Sequence, residues 1–484
     1  MNIRNFLDIK SLFFDNKSLK QTIFKNAFWL VLAEGITRIL KLFLIIYVAR
    51  ILGATEYGKF TFALSFVSLL AIFGDLGLDP LMIREISREE EKEEDFPFVL
   101  SLRLILILVI FLLIFIGSFF VTSSAEIQKL IWTIGAYVLI NTFSATIYAF
   151  FRAKRRMEYE SFAKILQSIV VTAVGFFVLF NFPSVQNLGF SYLFASSSIL
   201  FLIISFFHSR IHSLKLIFDK KKWKNFLTLS WPVALYGIFG VVYHNIDSII
   251  MGHLNQITQV GWYNAALRLA NITLILTPII STSFFPVLSK FFKESEKKLQ
   301  KTWSLYFQLM LSLAIPLVVG GVFLAPKLID LVYDPSYFPS ILVFRILILF
   351  VGISFISGPL SKMLFVFNQQ KKILLAALFG MITNIVLNLI LIPRYSLYGA
   401  AFVLLITYSL MFILLLKFFL ESVTIRFFDF NFFLFLIGVV VSSIVMFFVI
   451  SYSEIYKLHV LFVIMIGITI YLVSLFGYKK AINL

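Results

Sequence analysis

Apolar residues run through this chain in fourteen blocks, each about as long as a bilayer is thick, with short polar gaps between them. Blocks of that length predict transmembrane helices at 24–49, 59–78, 97–121, 128–151, 161–182, 187–208, 226–251, 260–286, 302–325, 339–367, 373–393, 397–420, 431–451 and 458–477. Charge then sorts the gaps. With residues at span edges counted among their flanks, odd-numbered gaps hold 6 of the 42 Lys and Arg, even-numbered gaps and the termini hold 29, and 7 lie inside spans. The positive-inside rule turns that alternation into an orientation with both termini cytoplasmic. The pattern therefore predicts an all-α, multi-pass protein of the inner (cytoplasmic) membrane. No gap is longer than 79–96, so no soluble domain interrupts the bundle. The outward gaps Asn181–Gln186, Gly252–Gln259 and Ile392–Ser396 are turns, and the run Arg88–Asp95 reads as a solvated acidic loop.

Composition agrees: 60% of residues are hydrophobic and only 14% charged, well below the roughly one quarter usual in soluble domains. The net charge of +17 is carried by short basic loops such as Arg152–Arg156 and Lys220–Lys224, suited to anionic lipid headgroups; no nucleic-acid partner is expected. The absence of Cys removes disulfides and thiolate metal sites, and no other metal set is expected. The first 25 residues are basic without a continuous apolar core, which argues against a cleavable signal peptide. Ile3, Phe6, Leu7, Phe13 and Phe14 recur at roughly helical spacing, so residues 1–23 form either an interfacial cytoplasmic helix or a frayed tail. The 59 Phe read as lipid-facing and interhelical filler.

One internal repeat stands out. Thr55-Glu56-Tyr57-Gly58-Lys59-Phe60-Thr61-Phe62-Ala63-Leu64 opens the second span, and Thr258-Gln259-Val260-Gly261-Trp262-Tyr263-Asn264-Ala265-Ala266-Leu267 opens the eighth. The copies lie six spans apart and so share an orientation, the parallel type of repeat. Glycine suits a tight hairpin and alanine a close helix approach. Two pseudo-symmetric six-helix lobes follow, 24–208 and 226–420, joined by a cytoplasmic linker at 209–225. Residues 421–484 add a two-helix hairpin, the expected architecture of a transporter whose lobes rock about a central cavity.

Charges at bilayer depth cost at least about 2.5–3.5 kcal/mol each and so ask for an explanation. Arg103 and Lys164 lie near cytoplasmic span ends and are expected to snorkel to headgroups. Asp75, near the same rim, is expected to cap or brace the loop starting at Asp79. Glu34, Arg38 and Lys41 fall at i, i+4 and i+7 on one face of the first span, near mid-membrane. Such a stripe must line a cavity or meet polar partners. Arg268, Arg345 and Lys362 add three deep cations, and Asp247 one deep acid. Five cations against two acids imply that a ligand supplies the missing anion, and the arginine fork suits phosphate. Glu34 and Asp247 are candidates for proton or sodium coupling, with a bracing Arg268–Asp247 pair the alternative for those two. Asn384 and Asn388 share a helix face, placed for interhelical hydrogen bonding or substrate contact.

Enzymatic readings find no support: the chain lacks G-x-x-x-x-G-K-[ST], H-E-x-x-H, G-x-S-x-G and D-x-D. No cofactor is expected. A glycan polymerase or ligase would need larger outward loops. A multidrug exporter would want an acid-rich cavity for cationic drugs, against the cation excess.

Four stretches carry a resemblance. Asn26-Ala27-Phe28-Trp29-Leu30, Arg50-Ile51-Leu52-Gly53-Ala54-Thr55-Glu56-Tyr57-Gly58, Phe73-Gly74-Asp75-Leu76-Gly77-Leu78 and Gly261-Trp262-Tyr263-Asn264-Ala265-Ala266-Leu267-Arg268-Leu269 resemble polysaccharide-biosynthesis (Wzx-type) flippases. The resemblance implies the multidrug/oligosaccharidyl-lipid/polysaccharide transporter fold, two six-helix lobes forming a V with two extra C-terminal helices. It further implies a substrate, polyprenyl-pyrophosphate-linked oligosaccharide, moved between leaflets by alternating access. That substrate would be held by Arg38, Lys41, Arg268, Arg345 and Lys362, its lipid tail in a groove made by the last two helices. Glycan polymerase and glycosyltransferase machinery would be the partners.

Overall fold

A computed structural model describes residues 16, 18–210, 215–423, 430–455 and 458–481. The amphipathic pattern expected at Ile3–Phe14 lies outside them. Fourteen α-helices and two short 3-10 turns make up the described structure, with no strand among these residues. The helices are α1 (Leu19–Asp75), α2 (Leu78–Arg88), α3 (Phe96–Val121), α4 (Ala125–Ala153), α5 (Met157–Asn181), α6 (Val185–Arg210) and α7 (Lys220–His253), then α8 (Ile257–Thr273), α9 (Leu276–Glu294), α10 (Glu296–Val332), α11 (Ser340–Val366), α12 (Gln370–Ser422), α13 (Phe430–Ile455) and α14 (Val460–Ala481).

Eleven helical stretches among the described residues are long and apolar enough to cross a membrane. Two of them carry two spans each. At about 1.5 Å per residue, the 57 residues of α1 would reach about 85 Å, far beyond one bilayer. The chain breaks at Gly53 (φ 76°), a left-handed conformation that only glycine adopts cheaply. The turn needed between the first two spans is therefore made at Gly53 of the R-x-L-G motif. Gly58, which the repeat suggested as the turn glycine, is helical and buried, as is Gly261. The small residues do let helices approach: Ala63 and Ala266 are fully buried. In α12 the break falls at Ser396 (φ 51°), three residues after Pro393. With the 34-residue α7, this arrangement is consistent with fourteen spans.

Contacts divide the chain into two compact units, Met1–Thr258 and Gln259–Leu484. In the first, α1 packs on α4, α5 and α7, and α4 on α6. A buried apolar cluster at one end joins Leu81 and Ile86 of α2, Phe96 of α3, Phe150 of α4, Phe207 of α6 and Phe226 of α7. Phe226 thus seats α7 in the first unit, whereas the expected lobes assign that span to 226–420. Thr55 and Thr258, the leading residues of the two repeat copies, meet with their hydroxyls 2.8 Å apart. Helix α2 was not anticipated; it occupies the expected loop and buries Leu78, Leu81, Met82 and Ile86. The acidic run after it is braced rather than simply solvated: Lys92 reaches Glu85 at 2.6 Å, Asp95 meets Lys222 at 2.7 Å, and Glu93 pairs with Lys154.

In the second unit, α11 packs on α10 and α12, and the C-terminal hairpin packs on α10. Phe435, Val439, Val463 and Leu475 form its core with Leu324. Helix α10 contains Pro316 and Pro326, which have no N–H to give the carbonyls four residues earlier. Side chains from neighbouring helices take that role. Tyr471 of α14 donates its hydroxyl to the Ser312 carbonyl at 2.7 Å, and Arg345 of α11 donates Nε to the Val322 carbonyl at 3.2 Å. In a bilayer a freed carbonyl has no water to turn to, so each contact satisfies a group that would otherwise cost several kcal/mol, on the order of 2–7.

Candidate functional site

The charged face of α1 is where the expected anion site begins. Arg38 Nε donates to Glu34 Oε1 at 2.7 Å, in the anticipated i, i+4 order, and the side chains are 48% and 53% exposed. A pair as open as this contributes on the order of 1 kcal/mol or less, so it yields readily to a competing anion. Lys41 is exposed on the same helix. Packing of α1 on α5 brings more charge to this face: Lys164 and Lys41, besides Arg38, act electrostatically on Glu34.

On α5, Glu160 is fully buried and gathers two cations. Arg152 holds it bidentately at 2.7 and 2.5 Å, and Lys164 reaches it at 2.7 Å. Lys164 therefore pairs with a buried acid instead of simply snorkelling. The charges of Glu34 and Asp79 extend to Arg152. Arg38 thus pairs with Glu34, and Arg152 and Lys164 with Glu160, while Lys41 adds a further cation to α1. Hydrogen-bonding guanidinium groups flanked by point-charge ammoniums suit a phosphate-bearing ligand.

Two further charge centres in this unit are structural. Arg103 is completely buried, contrary to the snorkelling expected of it. Its guanidinium donates to the Thr146 hydroxyl at 2.8 Å, the Gly74 carbonyl, Asp75 Oδ1 at 2.7 Å and Asp79 Oδ1. The G-D-L-G-L-D stretch makes this receptor. Leu76 and Gly77 take positive φ, and Asp75 accepts the Gly77 N–H at 3.2 Å, so the turn between α1 and α2 presents both carboxylates to Arg103. Asp75 braces the start of Asp79's segment as expected. The second centre is the Lys25–Glu158 pair at 2.9 Å, with both side chains essentially buried. Sequence reasoning missed both hubs; the available signals were Arg103 and Asp75 falling at the same rim, and acids closely following the basic run Arg152–Arg156.

Asp247 on α7 is buried, and its carboxylate accepts the Ser248 N–H at 2.6 Å. The remaining expected residues belong to the second unit. Arg268 is half-buried on α8. Arg345 is half-buried and engaged with the Val322 carbonyl, which gives it a structural task. Lys362 lies 5.8 Å from the Phe285 ring centre, a cation–π contact. Asn388 donates to Asn384 one turn away at 3.0 Å, and Asn384 donates at 3.4 Å to Thr407 beyond the break at Ser396, so this buried pair takes the first of the two roles expected of it only through Asn384.

Comparison with known proteins follows the same lines. The family model for polysaccharide biosynthesis proteins matches residues 23–292, and the MatE model matches 232–390. An uncharacterised membrane protein of Methanocaldococcus jannaschii is 22% identical over 90% of this chain and 92% of its own length. A probable low-salt glycan biosynthesis flippase of Haloferax volcanii is 22% identical over 74% of this chain and 75% of its own. Among solved structures, the lipid II flippase MurJ in an inward closed conformation superposes with a TM-score of 0.78 at 19% identity, covering 94% of this chain and 99% of that one. An inward-facing multidrug-resistance MATE transporter gives 0.64 at 15% identity, over 80% and 93%. The chain shares the fold of these transporters. It belongs to the polysaccharide biosynthesis protein family of the multidrug/oligosaccharidyl-lipid/polysaccharide exporter superfamily.

Proposed function

We propose that the protein is a flippase that carries polyprenyl-pyrophosphate-linked oligosaccharide from the cytoplasmic to the outer leaflet by alternating access. The supporting observation is the cation surplus carried by α1, α4 and α5, where Arg38, Lys41, Arg152 and Lys164 outnumber Glu34 and Glu160, the acids paired with Arg38, Arg152 and Lys164. Arg268, Arg345 and Lys362 are further candidate cations for the substrate's pyrophosphate or acidic sugars, and Glu34 and Asp247 the groups that take up a proton or sodium ion as the substrate leaves. The glycan polymerase and glycosyltransferase machinery are the expected partners.

The match of residues 232–390 to the MatE model favours a second reading, export of organic cations. Reconstituted vesicles separate the two. The flippase reading expects translocation of a fluorescent lipid-pyrophosphate oligosaccharide and no transport of a cationic dye. Dye transport without lipid translocation would establish the exporter.

Orientation is a separate prediction. The native chain has no Cys, so single cysteines report without background. Lys297→Cys, in a positive gap, is expected to resist an impermeant thiol reagent in intact cells, while exposed Ser336→Cys reacts. Labelling of the first and protection of the second would invert the topology.

A further inference from the structure

The first turn of α7 concentrates charge: Lys220, Lys221, Lys222 and Lys224 are four of five residues. Nearby acids neutralise little of it. Asp95 is committed to Lys222 at 2.7 Å, and Asp219 caps the helix by accepting the Lys221 and Lys222 N–H groups at 2.8 and 3.1 Å. Among the described residues, Lys220 and Lys224 have no acidic partner. They stand one helical turn apart on one face, where like charges repel.

That face borders a pocket of about 620 Å³. Lys220 and Lys224 form its charged rim, and Thr228, Leu227, Trp231 and Leu102 of α3 continue it into an apolar wall. The site is built firmly. Trp223 donates its indole N–H to the Phe98 carbonyl at 3.1 Å, and Ser101 donates to the Ile217 carbonyl at 2.5 Å, clamping the start of α7 onto α3. Leu216, Ile217 and Phe218 just before the helix are exposed, as is Trp231. Exposed aliphatic and aromatic groups beside lysines place this segment at the boundary of headgroups and acyl chains.

We propose that this pocket binds an anionic diacyl phospholipid, the phosphate between Lys220 and Lys224 and the first part of an acyl chain along Leu102, Leu227 and Trp231. The charge is complementary, and the occupant's apolar half matches the wall. A bound lipid would fasten α7, whose other face is held by α1. This inference is independent of the transported substrate.

The test uses the full-length protein in neutral detergent, titrated with phosphatidylglycerol or phosphatidylcholine, with melting temperature and native mass spectrometry as readouts. Phosphatidylglycerol alone is expected to raise the melting temperature and to remain bound. Lys220→Gln with Lys224→Gln is expected to weaken phosphatidylglycerol binding about 30-fold. Lys220→Arg with Lys224→Arg should retain it. Both lysines are exposed, so the variants are expected to fold; the control Lys297→Gln with Lys301→Gln removes equal charge elsewhere. Unchanged binding in the glutamine variant overturns the proposal. So does equal weakening in the control, which would mean diffuse surface attraction. So does equal stabilisation by inorganic pyrophosphate, which would mean a site for free phosphate.

Discussion

Replacing Arg38 and Lys41 with alanine is expected to abolish transport while leaving a folded, membrane-inserted protein. Each cation that holds a phosphate oxygen contributes on the order of 1.5–3 kcal/mol, so losing one weakens binding by about tenfold to just over a hundredfold. Little stability is at stake, because the Arg38–Glu34 pair is half exposed and Lys41 is exposed. Arg268→Ala is expected to behave in the same way. Arg268→Lys is expected to retain part of the activity, since charge survives while the bidentate fork is lost. Surface glycan assembly in cells and vesicle translocation measure the first effect; thermal unfolding in detergent measures the second. Normal transport by all three alanine variants would mean that the substrate's anion is held elsewhere. Misfolding would make these cations structural.

Arg103→Ala is expected to do the reverse. Here the guanidinium is fully buried and satisfies Thr146, the Gly74 carbonyl and two carboxylates at once. Removing it strands Asp75 and Asp79 with like charges at the junction of α1 and α2, a loss of about 3–5 kcal/mol for a broken buried pair. Poor expression and a much lower melting temperature follow. Adding Asp75→Asn and Asp79→Asn should recover much of the loss, because the stranded negative charge is then gone. An Arg103→Ala protein as stable as its parent would show that the hub bears no load. Arg38 and Arg103 share a side chain and a bilayer, yet burial makes one expendable for folding and the other indispensable.

Much of this was legible in one dimension. Hydrophobic block length set the helices, and gap charge proposed their orientation, because both depend on each segment meeting lipid or headgroup independently of its neighbours. The i, i+4, i+7 spacing placed Glu34, Arg38 and Lys41 on one face, because helical periodicity is local. The R-x-L-G and G-D-x-G runs carried the family, and one glycine of each, Gly53 and Gly77, takes positive φ.

What stayed illegible was pairing. Arg103 finds its acceptors 24 to 43 residues away on three other helical segments, and Tyr471 finds the carbonyl that Pro316 frees 159 residues earlier. Depth along a span tells that a charge is costly, while only the rotation and contact of packed helices tell who relieves the cost. Arg103 therefore read as a snorkelling side chain, and Lys25 as one more basic terminal residue, until packing brought their acids to them. The sequence by itself determined which segments cross the membrane and which carry charge into it. Tertiary structure decided which of those charges are consumed by the fold and which stay accessible, because neutralisation in a low-dielectric interior is a property of neighbours and not of the chain order.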